Sequence, residues 1–168
     1  MALSRTAFEK LLGAREPTVQ CEICPKACVI PPGHRGDCRI RVNIDGRLRA
    51  VTYGLPSAVH IDPIEKKPLH HFRPGKTILS LATVGCNLHC RNCQNWSLSQ
   101  TDPEESENHS LPPEEIVALS KRRNVPMVAF TYSEPIVFYE YTLRGCELSK
   151  EAGLDTVLVT AGYGNPGP

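Results

Sequence analysis

Residues 77–93, "TILSLATVGCNLHCRNC", decide how this chain folds. The stretch from Thr77 to Gly85 is nearly continuously apolar, as expected of a short strand buried on both faces. It runs straight into Cys86, Cys90 and Cys93, which are separated by three residues and then by two. No fourth cysteine stands beside them.

Toward the C-terminus the grammar repeats. "PPEEIVALSKRRN" (112–124) reads as a helix, with prolines at its start and basic residues at its end. "VPMVAFTY" (125–132) reads as a second buried strand, "PIVFYEYTLRGCELSKEAG" (135–153) as a longer helix stopped near Gly153, and "DTVLVTAGY" (155–163) as a third strand. Strand–helix–strand–helix–strand of this kind predicts parallel βαβ units. In such folds the reacting groups gather at the C-terminal ends of the strands. Three loops therefore share one face: Cys86, Cys90 and Cys93 after the first strand, Ser133-Glu134-Pro135 after the second, and Ala161-Gly162-Tyr163 at the end of the third.

Toward the N-terminus the chain is irregular. "TAFEKLLG" (6–13) predicts a short helix, with Thr6 and Glu9 at capping-box spacing and Gly13 as its stop. "CEICPKACVIPPGHRGDC" (21–38) follows and holds Cys21, Cys24, Cys28 and Cys38. "RIRVNIDGRLRAVTYG" (39–54) alternates into Asp45-Gly46, a hairpin signal. "DPIEKKPLHHFRPGK" (62–76) reads as a Pro-rich connector. The expected division is 1–76, a Cys-rich region with hairpin and connector, and 77–168, the first part of an α/β barrel.

Composition sets the wider bounds. The chain has 168 residues, 40 % of them hydrophobic, and a formal net charge of +1. Balanced charge gives no bulk electrostatic case for nucleic acid or anionic membrane. The first 20 residues lack the apolar core of a secretory signal, and no stretch approaches spanning length, so a cytoplasmic location is expected. Eight cysteines in such a chain point to metal rather than to disulfides. Cys146, alone on a helix, reads as a small buried apolar residue. The acidic stretch "TDPEESENHS" (101–110) reads as a solvated loop, and adjacent His70 and His71 point in different directions on most backbones.

Three thiolates on one loop suit a cubane iron–sulfur cluster with one iron left open for a substrate or cofactor. The alternative is a zinc site completed by His89 or a distant histidine. Four thiolates at Cys21, Cys24, Cys28 and Cys38 match the count of a closed site. Zinc is the simpler expectation there and an auxiliary [4Fe-4S] cluster the second; either would staple a region too small for its own core.

"CNLHCRNC" (86–93) is the CxxxCxxC signature of radical S-adenosylmethionine enzymes. Together with "CEICPKAC" (21–28), "PGHRGDCRIRVN" (32–43), "YGLPSAVHIDPIEKKPLHHFRPG" (53–75), "GCNLHCRNCQNW" (85–96) and "TYSEP" (131–135), the chain resembles the radical SAM enzymes of the AmmeMemoRadiSam system. These are relatives of the pyruvate formate-lyase activating enzymes. The resemblance implies that Cys86, Cys90 and Cys93 each bind one iron of a [4Fe-4S] cluster. The fourth iron would chelate S-adenosylmethionine, whose reductive cleavage gives a 5′-deoxyadenosyl radical that abstracts a substrate hydrogen. Glu134 stands where relatives carry "GGEP", a contact to the methionine amino group; Ser133 and Gly162 fall at neighbouring cofactor positions. The family further implies a flavodoxin- or ferredoxin-type electron donor and a Memo-like partner protein. Glu134 also suits the start of the following helix, where the dipole favours an acid.

Two positions depart from the family pattern. Asn92 stands where many relatives have an aromatic residue beside the adenine, which makes Trp96 the candidate to stack there unless it is simple core. Ala161-Gly162 stands in place of Asn-Gly. Barrels of this class need roughly 200 residues or more, so the expectation is a truncated barrel of about three βα units that turns over S-adenosylmethionine poorly. The rival readings are a glycyl-radical-enzyme activase and a non-catalytic zinc-binding module.

Overall fold

The structure is a computed structural model and describes residues 17–167. The helix expected over residues 6–13 lies outside the described residues.

The elements in order are strands β1 (Val19–Gln20), β2 (Val29–Ile30), β3 (Arg41–Ile44), β4 (Arg47–Ala50), β5 (Ala58–Pro63) and β6 (Thr77–Ala82), helix α1 (Trp96–Ser99), helix α2 (Pro113–Arg122), strand β7 (Met127–Phe130), helix α3 (Tyr139–Glu151) and strand β8 (Asp155–Leu158). One four-stranded sheet runs β5-β6-β7-β8. β6, β7 and β8 are parallel, with Leu79 opposite Val128 and Val128 opposite Thr156. The α2 and α3 crossovers connect them as βαβ units. The molecule is thus a mixed α/β fold with a parallel sheet.

Alternation along the strands builds two apolar layers. Leu79, Leu81, Val128 and Phe130 turn to one face and form the larger core with Ile116 and Tyr141 from the helices. Ile78, Met127 and Ala129 turn to the other face and pack with Ile64. Burying β6 and β7 on both faces is what their unbroken apolar sequence demands. β8 alternates between half-buried and exposed residues and is an edge of the sheet.

The stretch leading into the expected connector (62–76) forms a strand that the sequence reading does not assign. Ala58–Pro63 forms β5, antiparallel to β6 over its whole length, with Asp62 opposite Ile78 and Pro63 opposite Thr77. Proline is tolerated because β5 is an edge and Pro63 ends it.

The hairpin at Asp45-Gly46 pairs Arg41 with Ala50 and Ile44 with Arg47. Both turn residues have positive φ, 52° and 71°, which matches the twist of a two-residue hairpin. β1 and β2 form a separate two-stranded ladder across the first cysteine cluster. This region is bound to the rest by ion pairs. Arg41 is buried and makes a bidentate contact to Glu140 on α3, with Nη2 2.6 Å from Oε2, while its Nε donates to Val137 O at 2.8 Å. The acidic loop is not merely solvated: Arg35 forks onto Glu104 at 3.0 and 3.1 Å, and Arg39 reaches Asp102 at 2.9 Å. No helix among the described residues is long and apolar enough to cross a membrane.

Candidate functional site

β6 delivers the Cys86–Cys93 loop to the C-terminal edge of the sheet, and β7 and β8 deliver their loops beside it. Cys86 is buried, Cys93 half-buried and Cys90 exposed. Burial pushes the Cys86 thiol up; backbone N–H groups of Leu88 and Glu134 oppose this, and the Glu134 charge adds to it. Cys93 Sγ is 3.5 Å from Ser99 Oγ on α1.

Glu134 is 4 % exposed and ties two loops together. Oε2 accepts from Ala161 N at 2.8 Å, and Oε1 accepts from Ile136 N at 3.2 Å and from the Thr160 hydroxyl. The bond to Ile136 caps the 3-10 turn Pro135–Phe138 that precedes α3, so the structural role read from the sequence is present. Ser133 is buried and its hydroxyl donates to Thr83 O at 2.8 Å, which fastens the β7 loop to the end of β6. Gly162 has φ of +66° and its N–H donates to Thr160 Oγ1 at 2.9 Å. The three expected cofactor positions thus meet at one corner.

Sequence reasoning missed Asn87. It is fully buried in the cysteine loop, and its Nδ2 donates to Tyr163 O at 2.9 Å, which links the loop after β6 to the one after β8. Its Oδ1 is buried without a hydrogen-bond partner among the described residues. An asparagine between cysteines carries no sequence signal for this. Asn95 was missed too; its Nδ2 donates to Tyr132 O at 3.0 Å.

His89 is already engaged. Nδ1 is 2.9 Å from Gln100 Oε1 and Nε2 is 2.8 Å from Asp37 Oδ2. Asp37 in turn pairs with Lys26. The histidine ties the two cysteine regions together. Trp96 is 55 % exposed at the start of α1, so it is not core. His70 and His71 are exposed, and Cys146 is half-buried against the main core.

At the other cysteine cluster, Cys21, Cys24 and Cys38 are buried and Cys28 is half-buried. Cys21 N donates to Cys28 O at 2.8 Å. Burial raises the thiols of Cys21 and Cys38, with Cys24 and Cys28 adding to the effect at Cys21 and Cys21 adding to it at Cys38. The bond from Cys21 N to Cys28 O thus brings the two ends of that loop together. Among the described residues no group of three or more His, Cys, Asp or Glu is gathered to hold a single metal ion. All eight cysteines are free thiols.

The donors at residues 86–93 fit an iron–sulfur cluster. They are three thiols of graded exposure at the end of a buried strand, beside an acid and a buried amide oxygen that lacks a partner. A parallel α/β sheet with this loop at its C-terminal edge agrees with part of a radical S-adenosylmethionine fold. The model of the radical SAM superfamily matches residues 80–166, just over half the chain, and the chain belongs to that superfamily. Membership implies a [4Fe-4S] cluster and S-adenosylmethionine. An uncharacterized protein of Methanocaldococcus jannaschii, MJ0808, is 47 % identical over 156 residues, which is 93 % of this chain and 46 % of the relative. The chain thus spans about half the length of the curated relative it matches. No solved structure matches it.

Proposed function

We propose that this chain is the cluster-bearing part of a radical SAM enzyme of the AmmeMemoRadiSam type. Cys86, Cys90 and Cys93 would hold the [4Fe-4S] cluster, three thiolates leaving it one position open to S-adenosylmethionine. When bound, the cluster supplies the electron that cleaves the sulfonium bond and yields the 5′-deoxyadenosyl radical. The protein's own residues position and shield. Glu134 offers a carboxylate to the methionine ammonium, Ser133 and Asn87 lock the loop ends against each other, and the Gly162 turn leaves room for the cofactor. The observation that carries this reading is the tie between the three loops: Ser133 Oγ donates to Thr83 O just after β6, Glu134 Oε2 accepts from Ala161 N after β8, and Asn87 in the cysteine loop donates to Tyr163 O. These bonds support a site in which the cysteine loop and Glu134 share one corner of the sheet.

Cys21, Cys24, Cys28 and Cys38 form a second metal site in this reading. Zinc is the first reading of its occupant and an auxiliary [4Fe-4S] cluster the second, and the bond from Cys21 N to Cys28 O supports the site by drawing the two ends of that loop together. The flavodoxin- or ferredoxin-type donor and the Memo-like partner follow from the family resemblance, and the cytoplasmic location and the division at residue 76 from the sequence pattern.

Anaerobic reconstitution with iron and sulfide tests the proposal. The expected result is a brown, oxygen-sensitive protein that forms 5′-deoxyadenosine under a strong reductant. Zinc without iron at both cysteine groups would replace the proposal with the metal-binding module.

A further inference from the structure

The sheet holds a charged group that no part of this chemistry uses; its carboxylate lies opposite Ile78, near the start of β6, and its partners line a cavity with Thr131, Ser133 and Val159 at the C-terminal edge. Asp62, on β5, is buried, and Lys66 Nζ and Lys67 Nζ each approach one of its oxygens at 2.8 Å. The Tyr132 hydroxyl also donates to Asp62. The Lys67 side chain is only 2 % exposed, and its ammonium lies 4.3 Å from the centre of the Tyr132 ring. Lys66 is 5.7 Å from the same ring and half-exposed. Two ammonium groups share one carboxylate, so the group carries net positive charge. Among the described residues each lysine donates one hydrogen bond, to Asp62, although an ammonium has three donors. A buried cation with free donors is costly unless a further acceptor completes it.

The surroundings make that acceptor a ligand. A cavity of about 320 Å³ is lined by Lys66, Lys67, Gln94, Asn95, Tyr132 and Ser133 among others. A second, of about 360 Å³, shares Lys66, Gln94, Asn95 and Tyr132 and adds His60. Gln94 and Asn95 directly follow Cys93, so one wall of both cavities begins where the cysteine loop ends. Tyr132 has φ of +65°, a strained conformation for an aromatic residue, and its backbone and ring face Asn95 and the lysine pair.

We propose that Lys66 and Lys67 form the anion subsite of the substrate pocket. The substrate is then a small molecule bearing a carboxylate or phosphate group. That group ends on the lysine pair, which holds the rest of the molecule against the loop of Cys86 to Cys93. Asp62 and Tyr132 are positioning residues that fix the two ammonium groups. The inference rests on the radical SAM reading for the reaction, but the subsite binds its anion with or without a cluster.

The first test titrates malonate and inorganic phosphate into the cluster-free chain at low salt and follows the Tyr132 ring resonances. A saturable shift is expected. Lys66→Met should weaken it at least about tenfold, the loss of one charge-assisted hydrogen bond. Lys66→Arg should recover most of the affinity. Lys121→Met, at the opposite end of the sheet, should change nothing. No saturable shift, or equal losses in the Lys66→Met and Lys121→Met proteins, would overturn the subsite.

The second test measures S-adenosylmethionine binding to the cluster-loaded Lys66→Met protein by equilibrium dialysis. Unchanged binding is expected. A matching loss would assign the anion to the carboxylate of S-adenosylmethionine and overturn the substrate assignment. A chain that binds malonate yet takes up no iron would count against the radical SAM reading and leave the subsite standing.

Discussion

Gly85 lies against Cys38: a Cβ added at Gly85 would stand 2.4 Å from the Cys38 carbonyl oxygen and 2.7 Å from Ile40 Cγ2. The residue that opens the cluster loop therefore touches the last cysteine of the other cluster. Gly85 also has φ of +83°, so a side chain there is strained on two counts.

Gly85→Ala should destabilise the chain by about 2–3 kcal/mol, because the clash is with backbone that cannot step aside. It should also lower iron retention, since the loop of Cys86 must shift. Urea unfolding of the cluster-free chain together with iron analysis after reconstitution checks both; an unchanged unfolding midpoint would show that the two regions slide freely.

Cys90→Ala should behave in the opposite way. Cys90 is exposed, so the cluster-free chain should change in stability by no more than about 0.5 kcal/mol. Oxygen-sensitive visible absorbance from the loop should vanish, while metal at Cys21, Cys24, Cys28 and Cys38 stays. Metal analysis beside a thermal melt reads the two effects separately.

Gly145→Ala, on α3, sets helix propensity against packing. Alanine favours a helix interior over glycine by about 1 kcal/mol. The added Cβ would meet Phe130 Cζ at 2.5 Å and Ile116 Cδ1 at 3.1 Å, both in the buried core. Overpacking costs about 1–3 kcal/mol, so the expected net loss is about 1 kcal/mol. Increased stability in a denaturant titration would mean that the Phe130 ring can move aside.

Asp62→Asn should show a pH-dependent loss. Burial pushes the Asp62 carboxyl up, but hydrogen bonds from Lys66, Lys67 and Tyr132 outweigh it and hold the group well below the usual carboxylate range. Tyr132, partly buried and bonded to Asp62, is pushed up to about 12 and stays a donor. A depressed carboxyl stabilises the fold above its unfolded value of about 4, and that contribution is lost as pH falls below it. The variant should therefore lose about 3 kcal/mol near pH 7, at the low end for a broken buried pair because Lys66 is half-exposed. The gap from wild type should narrow progressively below about pH 4. A gap constant from pH 7 to pH 3 would show that Asp62 is not ionised in the folded chain.

The sequence by itself determined the elements whose causes are local. The apolar runs at 77–85 and 125–132 specify strands buried on both faces, Asp45-Gly46 specifies a two-residue hairpin turn, and Pro113 with Arg122 marks the two ends of α2. Each follows from backbone propensity and side-chain period within a few residues. The cysteine spacing at residues 86, 90 and 93 also stands in the chain itself, and the strand before it fixes which edge of the sheet it occupies.

Only the tertiary structure decided what depends on partners far along the chain. Ala58–Pro63 is assigned no strand from sequence, and its last two residues fall in the stretch that reads as connector, yet it becomes β5 because β6 offers an open edge to pair with. His89 looks like a spare ligand until Asp37, 52 residues away, takes its Nε2. Asp102 and Glu104 look solvated until Arg35 and Arg39 reach them from the first cysteine region. Lys66 and Lys67 become a cation pair at the mouth of the sheet only once β5 sets Asp62 beside Tyr132. Hydrogen-bonding and ionic partners of this kind are chosen by proximity in space, which local sequence period does not encode.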